Sequence, residues 1–403
     1  MKNINSHTHN KIAGMHLDSE AADATARARA AEQLDVAVAE FNAAVDSIEA
    51  QCSAPNANLD DLAVQLRDQL WRVESFCREM EQQLGADRDA VREKQREFRQ
   101  QTDAHFAKSF FMQRARTWPQ GYPGDYEIIE KAYNNQPLSP GVGQLFDRYF
   151  LGTTLANGIR YRRAMMRDIL AAEMRERQGA RILNIGCGPC RELIELASVI
   201  RDSRTQVTCV DFDADALKYS AERVRESGLQ DHVEFRRYNA LRMINAERNV
   251  REFGRFDVIY TIGLLDYLAD DVLIRMIRAL YETLQPGGTF IAVFKDCDRY
   301  DTIDYHWLVD WSGFLQRTRQ ESWQLILEAG IPHDAVTIQR SQDDVMIFYQ
   351  ILRHAAHVHN VPAHSAHDRR SQTIEPVAPR PAEDLKRSRR ETPSERRRRR
   401  VSQ

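Results

Sequence analysis

Apolar positions between residues 17 and 111 recur every three or four residues, which is the pattern of helices with one buried face. Pro55 interrupts this pattern once and Gly85 interrupts it again, so three long helices are predicted. The stripes are formed by Leu34, Val38, Phe41, Val45 and Ile48 in the first helix and by Leu59, Leu62, Leu66, Leu70, Val73 and Cys77 in the second. We expect residues 15–115 to form a helical region that packs on the next part of the chain or on a second copy of it, as a homodimer.

A different pattern begins at Arg181, where short apolar strands alternate with amphipathic helices. Five strands are expected, starting at Arg181, Gln206, Val233, Phe256 and Thr289. This alternation is typical of a parallel sheet covered by helices on both faces. Two further strands, in residues 334–340 and 344–353, have the spacing of an antiparallel hairpin at the sheet edge. Residues 179–353 are therefore predicted to form a doubly wound, Rossmann-like α/β domain.

The segment between these two regions is rich in Pro, Gly and Tyr, and reads TWPQGYPGDYEIIEKAYNNQPLSP from Thr117 to Pro140. Such a composition indicates turns, here with one short helix over residues 126–133 that Asp125 would cap. A longer helix over about residues 142–176 follows. We predict that residues 116–178 form a lid and a connecting helix.

Charge and composition narrow the class of protein. The net charge is −3, from 56 basic and 59 acidic residues. The basic excess is confined to residues 365–403, so no specific nucleic-acid partner is expected. No apolar run reaches the ~20 residues of a membrane span, and the first residues lack the apolar stretch of a secretory signal. We expect a cytoplasmic protein with reduced thiols, with disorder over residues 1–14 and in an Arg-rich tail over residues 354–403.

Polar and glycine-rich positions follow the ends of the predicted strands. Gly186-Cys187-Gly188-Pro189 comes after the first strand, where glycines let a ligand approach the backbone and the next helix offers free amide groups. Asp211 ends the second strand, where an acid can hold a ribose diol. Asn239-Ala240 follows the third strand, and the fifth is preceded by a tight turn, Leu284-Gln285-Pro286-Gly287-Gly288.

Together with Phe256-Asp257-Val258-Ile259, these motifs resemble those of the class I S-adenosylmethionine-dependent methyltransferases, over residues 179–352. The resemblance implies that the glycine loop contacts the methionine part of S-adenosylmethionine, that Asp211 holds its ribose and that Asn239 contacts its adenine. Two positions depart from the family pattern, since Asn184 and Asn239 stand where acids are more usual. The implied cofactor-binding residues are Gly186, Cys187, Gly188, Pro189, Asp211, Phe212, Asn239, Ala240 and Thr261.

A second resemblance covers residues 110–352. Trp118–Tyr126, followed by Ile159-Arg160-Tyr161-Arg162, is similar to a segment in the group known as extracellular factor 3-hydroxypalmitic acid methyl ester biosynthesis proteins. Members make a methyl-ester signal for cell-density (quorum) sensing, and the resemblance implies a Trp-rich helix from Trp307 through Thr318. It implies carboxyl O-methylation of a hydroxy fatty acid as the activity.

The residues themselves suggest where the acceptor binds. Tyr122 and Tyr126 could shield a sulfonium by cation–π contact, and Tyr300 could line an acceptor pocket with Tyr305 and Trp307. One arginine of Arg160, Arg162 and Arg163 could bind a carboxylate, with Arg160 the first choice. The fourth-strand exit offers Asp266 as a base, but capping of the following helix is the favoured role for this residue. The predicted substrate residues are Tyr122, Tyr126, Arg160 and Tyr300.

Other classes of function stay open at this point. Another small-molecule O- or N-methyltransferase, or a cofactor-binding scaffold that acts through the helices, would fit the same motifs. Cys187-Gly188-Pro189-Cys190 is also the dithiol sequence of thioredoxins, but Gly186 stands where a Trp is usual and no proline occurs between Pro189 and Pro286. The two cysteines are then small residues in a tight loop. The scattered histidines lack the spacing of a zinc site, so no metal is predicted.

Overall fold

The computed structural model describes residues 5–311 and 313–354. Its α-helices are α1 (Asn5–Cys52), α2 (Leu59–Leu84), α3 (Arg88–Phe106), α4 (Phe110–Thr117), α5 (Tyr126–Asn134), α6 (Val142–Gly152), α7 (Thr154–Glu176), α8 (Arg191–Glu195), α9 (Ala197–Ser203), α10 (Ala214–Glu226), α11 (Ala246–Phe253), α12 (Asp270–Thr283) and α13 (Arg319–Glu328). Its strands are β1 (Arg181–Ile185), β2 (Gln206–Asp211), β3 (Val233–Arg237), β4 (Phe256–Thr261), β5 (Leu284–Lys295), β6 (Val336–Arg340) and β7 (Met346–Leu352). None of the described helices is both long and apolar enough to cross a membrane.

The three long predicted helices are α1, α2 and α3. The side chain of Asn58 accepts hydrogen bonds at the start of α2, and Gly85, with φ of +58°, ends that helix. Buried Glu74 of α2 accepts a hydrogen bond from the Tyr149 hydroxyl of α6, and burial raises the pKa of Glu74 to about 7. The helical region is thereby joined to the connecting helices by a buried polar pair as well as by apolar contacts.

The start of α1 differs from the prediction. Residues 1–14 were expected to be disordered, but the helix begins at Asn5, since an established helix gains one backbone hydrogen bond for each residue it adds. Residues 1–4 and, after His354, the predicted Arg-rich tail lie outside the described residues. The homodimer through these helices stays a prediction.

The strands form one seven-stranded sheet in the order β3-β2-β1-β4-β5-β7-β6. Strands β1 to β5 are parallel, whereas β7 runs antiparallel to both β5 and β6. The prediction of a doubly wound sheet with an antiparallel edge is confirmed. The strand order reverses between β1 and β4, and such a reversal opens a crevice at the carboxyl ends of the strands.

Several local predictions were wrong in detail. The turn predicted at Leu284–Gly288 is part of β5, which pairs Leu284 with Phe256 before a register shift. The Trp-rich helix is one π-helical turn, Asp304–Leu308, and the described residues between it and the N-cap of α13 are not helical. The helix predicted over 142–176 is two helices, because Thr153 takes an extended conformation and caps α7. Helix α11 was not predicted.

The two faces of the sheet have different partners. Alternate residues of the central strands, such as Ile182, Val258 and Ile291, join one apolar cluster with the helices from α1 to α7. Their neighbours Leu183 and Ile259 face a separate cluster with α12 and α13. The helical region and this sheet face therefore share one continuous core.

Candidate active site

A cavity of about 310 Å³ lies between the carboxyl ends of β1, β2 and β4 and the helices α5 and α7. One part, here named the loop end, is lined by Gly186–Pro189, Asp211, Phe212, Tyr238 and Ala240. The other part, named the aromatic end, is lined by Ile129, Tyr133, Leu155, Ile159, Tyr267, Lys295, Trp311, Phe314 and Met346. The cavity occupies the crevice that the strand order predicts for a ligand.

The loop end is built around two glycines. Gly186 has φ of +65° and Gly188 has φ of +51°, a left-handed conformation that residues with a Cβ adopt only at a cost. Nothing lies within 4 Å of the position where a Cβ would stand on Gly188. The backbone is thus bare on its cavity side, and a ligand can approach it directly.

Asp211 lies at the end of β2 with its carboxylate held by the backbone. Its Oδ2 accepts a hydrogen bond of 3.0 Å from the Gly188 amide, and its Oδ1 accepts one of 3.0 Å from the Asp213 amide. Burial raises the pKa of this carboxyl. The two amide contacts fix the carboxylate between the glycine loop and the next helix, where its remaining acceptor capacity meets the cavity.

The other predicted residues of the loop end divide into two groups. Phe212 lines the cavity with its side chain 53% exposed, and Ala240 lies beside it in the lining. Asn239 lies outside the lining, because its side-chain oxygen accepts the Leu241 amide and caps a 3-10 turn. Thr261 is also outside the lining, buried within β4. The structure thus brings seven of the nine predicted cofactor residues to the cavity wall.

Two buried charged groups also line the cavity: Arg162, one of the three arginines considered in the sequence, and Glu192, which was not considered. Arg162 is only 7% exposed, and among the described residues its Nε has no hydrogen-bond partner. Glu192 accepts hydrogen bonds from Tyr260 (2.8 Å) and Asn184 (3.2 Å), and burial raises its pKa to about 8. A buried guanidinium without a full set of acceptors is costly in the free protein, which favours a site for an anionic ligand group.

The aromatic end holds one buried cation. The Lys295 ammonium pairs with Asp266 at 2.5 Å and lies 4.3 Å from the ring centre of Phe314. Burial lowers the pKa of this lysine. Tyr267, which follows Asp266 in the chain, accepts a 2.9 Å hydrogen bond from the Trp311 indole. A largely apolar chamber therefore has the Lys295 ammonium in its wall, with the Arg162 guanidinium also in the cavity lining.

The GYPGDY segment borders the cavity as the predicted lid would. The Tyr122 hydroxyl donates a 2.7 Å hydrogen bond to Asp213, and its ring packs on Phe212. Gly124 packs so closely on Trp311 that a Cβ there would lie 2.6 Å from the indole ring. Asp125 caps α5, as predicted, by accepting hydrogen bonds from two amides. Tyr122 and Tyr126 both line the cavity.

Two predicted substrate residues lie elsewhere. Arg160 donates hydrogen bonds to the Leu151 carbonyl and to Asn157, outside the cavity lining. Tyr300 donates to Gln316 and lies behind Phe314 rather than in the lining. Each polar group already has partners within the protein, and a role of either residue in substrate binding stays a prediction.

The role predicted for Asp266 also changes. The carboxylate was expected to act as a base or to cap the next helix. It instead pairs with Lys295, and the N-cap of α12 is Ala269, which makes no side-chain cap. Helical periodicity would have favoured Arg162 over Arg160, because Leu155, Ile159, Arg162 and Met166 share one buried face of α7.

Comparison with known proteins identifies the domain that holds the loop end. Residues 182–288 match the family model described as "Methyltransferase domain". The chain is 28% identical over 138 residues to the methyltransferase phqN of Penicillium fellutanum, a match that covers 33% of this chain and 37% of that protein. It is 28% identical over 96 residues to a protein of Pyrobaculum calidifontis described as a probable cobalt-precorrin-6B C(15)-methyltransferase (decarboxylating), covering 24% and 45%. The chain thus spans less than half the length of these curated relatives.

Among solved structures, a possible exported protein from Bordetella parapertussis aligns with a TM-score of 0.48 at 19% identity, over 57% of this chain and 80% of that one. An O-methyltransferase family protein from Burkholderia thailandensis aligns with a TM-score of 0.39 at 16% identity, over 52% of this chain and 63% of that one.

Proposed function

We propose that this chain, whose residues 182–288 form an S-adenosylmethionine-dependent methyltransferase domain, methylates an oxygen atom of a small molecule, and that the acceptor is the carboxylate of a hydroxy fatty acid. One observation carries the proposal. A single cavity joins the bare glycine loop and Asp211 to an apolar chamber that contains one buried lysine. The product would be a methyl ester, which lacks the charge of the acid and so suits a diffusible signal.

The residues of the loop end fit S-adenosylmethionine. Asp211 offers a fixed carboxylate oxygen to a ribose hydroxyl, and the glycine loop leaves room for the methionine part. Arg162, with its unpartnered buried Nε, would pair with the methionine carboxylate, and Glu192 would accept from the ammonium group. When bound, the cofactor supplies a methyl group on a positively charged sulfur.

The aromatic end fits an acid with an aliphatic chain. Ile129, Leu155, Ile159 and Met346 offer apolar surface, which favours each buried methylene by ~0.8 kcal/mol. Lys295 would orient the carboxylate of the acceptor in the place first given to Arg160. Because Asp266 shares the charge of Lys295, the contact would position the carboxylate without neutralising it as a nucleophile.

No strong base is needed for such an acceptor. A carboxylic acid is already ionised at neutral pH, and transfer requires an attacking oxygen held ~3 Å from the methyl group with water excluded. Tyr122 and Trp311 lie where they would exclude water on either side of Gly124. The chain's own contribution is therefore placement and a dry site.

The test incubates purified protein with radiolabelled S-adenosylmethionine and free 3-hydroxy acids of increasing chain length, followed by mass spectrometry of the products. Methyl esters should form, with acceptor affinity rising about three- to fourfold for each added methylene. Arg162→Ala should weaken cofactor binding, while Arg160→Ala, which removes a neighbouring arginine outside the lining, should change it little. Label on an amine or on a protein side chain would overturn the proposal, and binding of cofactor without any transfer would favour a scaffold.

A hydroxyl acceptor is the second candidate, and the Lys295–Asp266 pair favours it. Burial lowers the pKa of Lys295, so the pair could take a proton from a hydroxyl group as the methyl is transferred. Methyl ethers in place of methyl esters among the products would identify this reaction.

A further inference from the structure

Three cysteine thiols meet directly behind the loop end. Cys187 and Cys190 belong to the glycine loop and Cys209 belongs to β2, and their sulfur atoms all lie within 4.8 Å of one another. Cys190 and Cys209 are fully buried, whereas Cys187 is 6% exposed and borders the cavity. The three residues thus come from the two elements that form the loop end.

The spacing of the sulfur atoms suits one metal ion. Zn–S bonds of ~2.3 Å in tetrahedral geometry place pairs of sulfur atoms ~3.8 Å apart. The Sγ atoms of Cys190 and Cys209 are 3.9 Å apart, so this pair needs almost no movement. The remaining pairs would have to close by less than about 1 Å, which loop side chains can do by small rotations about χ1.

The backbone at Cys190 supports a role for its thiol. This residue has φ of +51°, the left-handed conformation in which glycine or asparagine is usual. The conformational preference of the backbone therefore does not explain a cysteine at this position. Strain of this kind occurs where the surrounding structure needs a particular side chain, here one that points between Cys187 and Cys209.

We propose that Cys187, Cys190 and Cys209 bind one zinc ion through three thiolates, with solvent from the cavity as the fourth ligand. Within the described residues, no histidine or carboxylate joins this group, which leaves the fourth position open on the side of Cys187. Binding replaces three S–H bonds by three S–Zn bonds and releases three protons, with no change of oxidation state. Three thiolates with Zn²⁺ have a net charge of −1, whereas three thiolates with copper(I) would have a net charge of −2. Because burying charge is costly, zinc suits this buried site better.

The ion would fasten the glycine loop to β2 two residues before Asp211, so the loop would be ordered before a ligand arrives. The sequence analysis expected no metal, because the histidines lack the spacing of a zinc site, and it considered Cys187 and Cys190 only as a dithiol or as small loop residues, without Cys209. This site does not depend on which acceptor is methylated.

The test uses the full chain, reduced and stripped of metal. Titration with Cd²⁺ should give a thiolate-to-metal absorption band that saturates at one ion per chain with the intensity of three thiolates, and Zn²⁺ should displace Cd²⁺. Cys209→Ala should lower zinc affinity by at least ~100-fold, since the loss of even an outer-shell partner costs 10- to 100-fold. Cys77→Ala removes an equally buried thiol far from the cluster and should leave affinity unchanged.

Three results would overturn the proposal. One is the absence of the absorption band, and another is a band that Cys209→Ala leaves intact. The third is zinc binding that His105→Ala abolishes, since Asp46, Glu49 and His105 form the second group of ligand-type side chains in the described part of the chain. If Cys209→Ala does not fold, as judged by circular dichroism, Cys187→Ala replaces it with the same expected loss.

Discussion

The two ends of the cavity differ in the kind of chemical group that faces a ligand. At the loop end the glycine-loop backbone and the Asp211 carboxylate are held by β1 and β2 and by amide hydrogen bonds, with Phe212, Tyr238 and Ala240 beside them. At the aromatic end the ligand-facing groups are side chains from α5, α7, β5 and residues 311–346, which are distant in sequence. A site made from backbone tolerates few changes, whereas a site made from side chains can be altered residue by residue. We expect cofactor binding to be rigidly specified and acceptor choice to be adjustable.

The largest expected loss of cofactor affinity comes from a substitution in the glycine loop, which tests whether the loop end is rigid. Gly188→Val forces a β-branched residue into φ of +51° and fills space that the cofactor needs, so S-adenosylmethionine should bind at least ~100-fold more weakly by calorimetry. Gly287→Val is the control, since Gly287 has a similarly positive φ and lies outside the cavity. Equal losses of cofactor affinity in both variants would mean that the loop has no special role.

Asp211→Ala removes the one side chain at the loop end whose acceptor atoms the backbone fixes in place. Loss of charge-assisted hydrogen bonds to the ribose should cost about 1.5–3 kcal/mol, or roughly 10- to 150-fold in cofactor affinity. Asp215→Ala, an exposed acid in the next helix, is the matched control. An unchanged affinity in Asp211→Ala, with the fold intact, would contradict the assignment.

A change at the aromatic end should separate the acceptor from the cofactor. Lys295→Met alone would leave the buried Asp266 carboxylate without its cationic partner, so the variant to make is Lys295→Met with Asp266→Leu. We expect the KM for the acid to rise about tenfold through loss of one charge-assisted contact, with cofactor affinity unchanged. If both affinities fall together, the two ends are not independent.

Tyr122→Phe removes a hydroxyl from the lid and leaves the ring in place. The 2.7 Å hydrogen bond to Asp213 is worth about 0.5–1.5 kcal/mol, so cofactor affinity should fall only about two- to tenfold. Stopped-flow measurement should locate this change in the dissociation rate. A change confined to the association rate would mean that Tyr122 does not cover the bound cofactor.

Glu74→Gln alters neither end and should affect stability alone. With a pKa of about 7 in the folded chain against the usual 4.5, Glu74 keeps a proton that the unfolded chain loses between these values. The free energy of unfolding should therefore fall as the pH rises from about 4.5 to 7, by at most ~3 kcal/mol from this group. Urea titrations at several pH values should show this fall in the free energy of unfolding for the unaltered chain but not for Glu74→Gln. An identical pH dependence in both proteins would contradict the raised pKa.

The sequence predicted the sheet and the loop end because their signals are local. Strand periodicity located all seven strands, and Gly186, Gly188 and Asp211 follow strands whose carboxyl ends must meet. The aromatic end could not be predicted in the same way. Lys295 closes an apolar strand and Arg162 lies on an apolar helix face, and only the tertiary packing of α7, which contacts α8 and β7, decides that both meet the cavity. Arg160 and Arg162 look alike in sequence and differ only in helical phase.

The shared core of α1–α7 and one sheet face has a consequence for the order in which the chain is made. On the ribosome, the stripes of α1 and α2 emerge long before β1, which begins only at Arg181, and before β7, which ends at Leu352. At ~5–20 residues per second, the faces of α2 and α3 that contact the turn at Asp304–Leu308 wait on the order of ten seconds or more for that segment. A nascent chain of this length exposes a surface that attracts chaperones or a neighbouring copy. Synthesis speed, rather than equilibrium stability alone, should therefore influence the yield of folded protein.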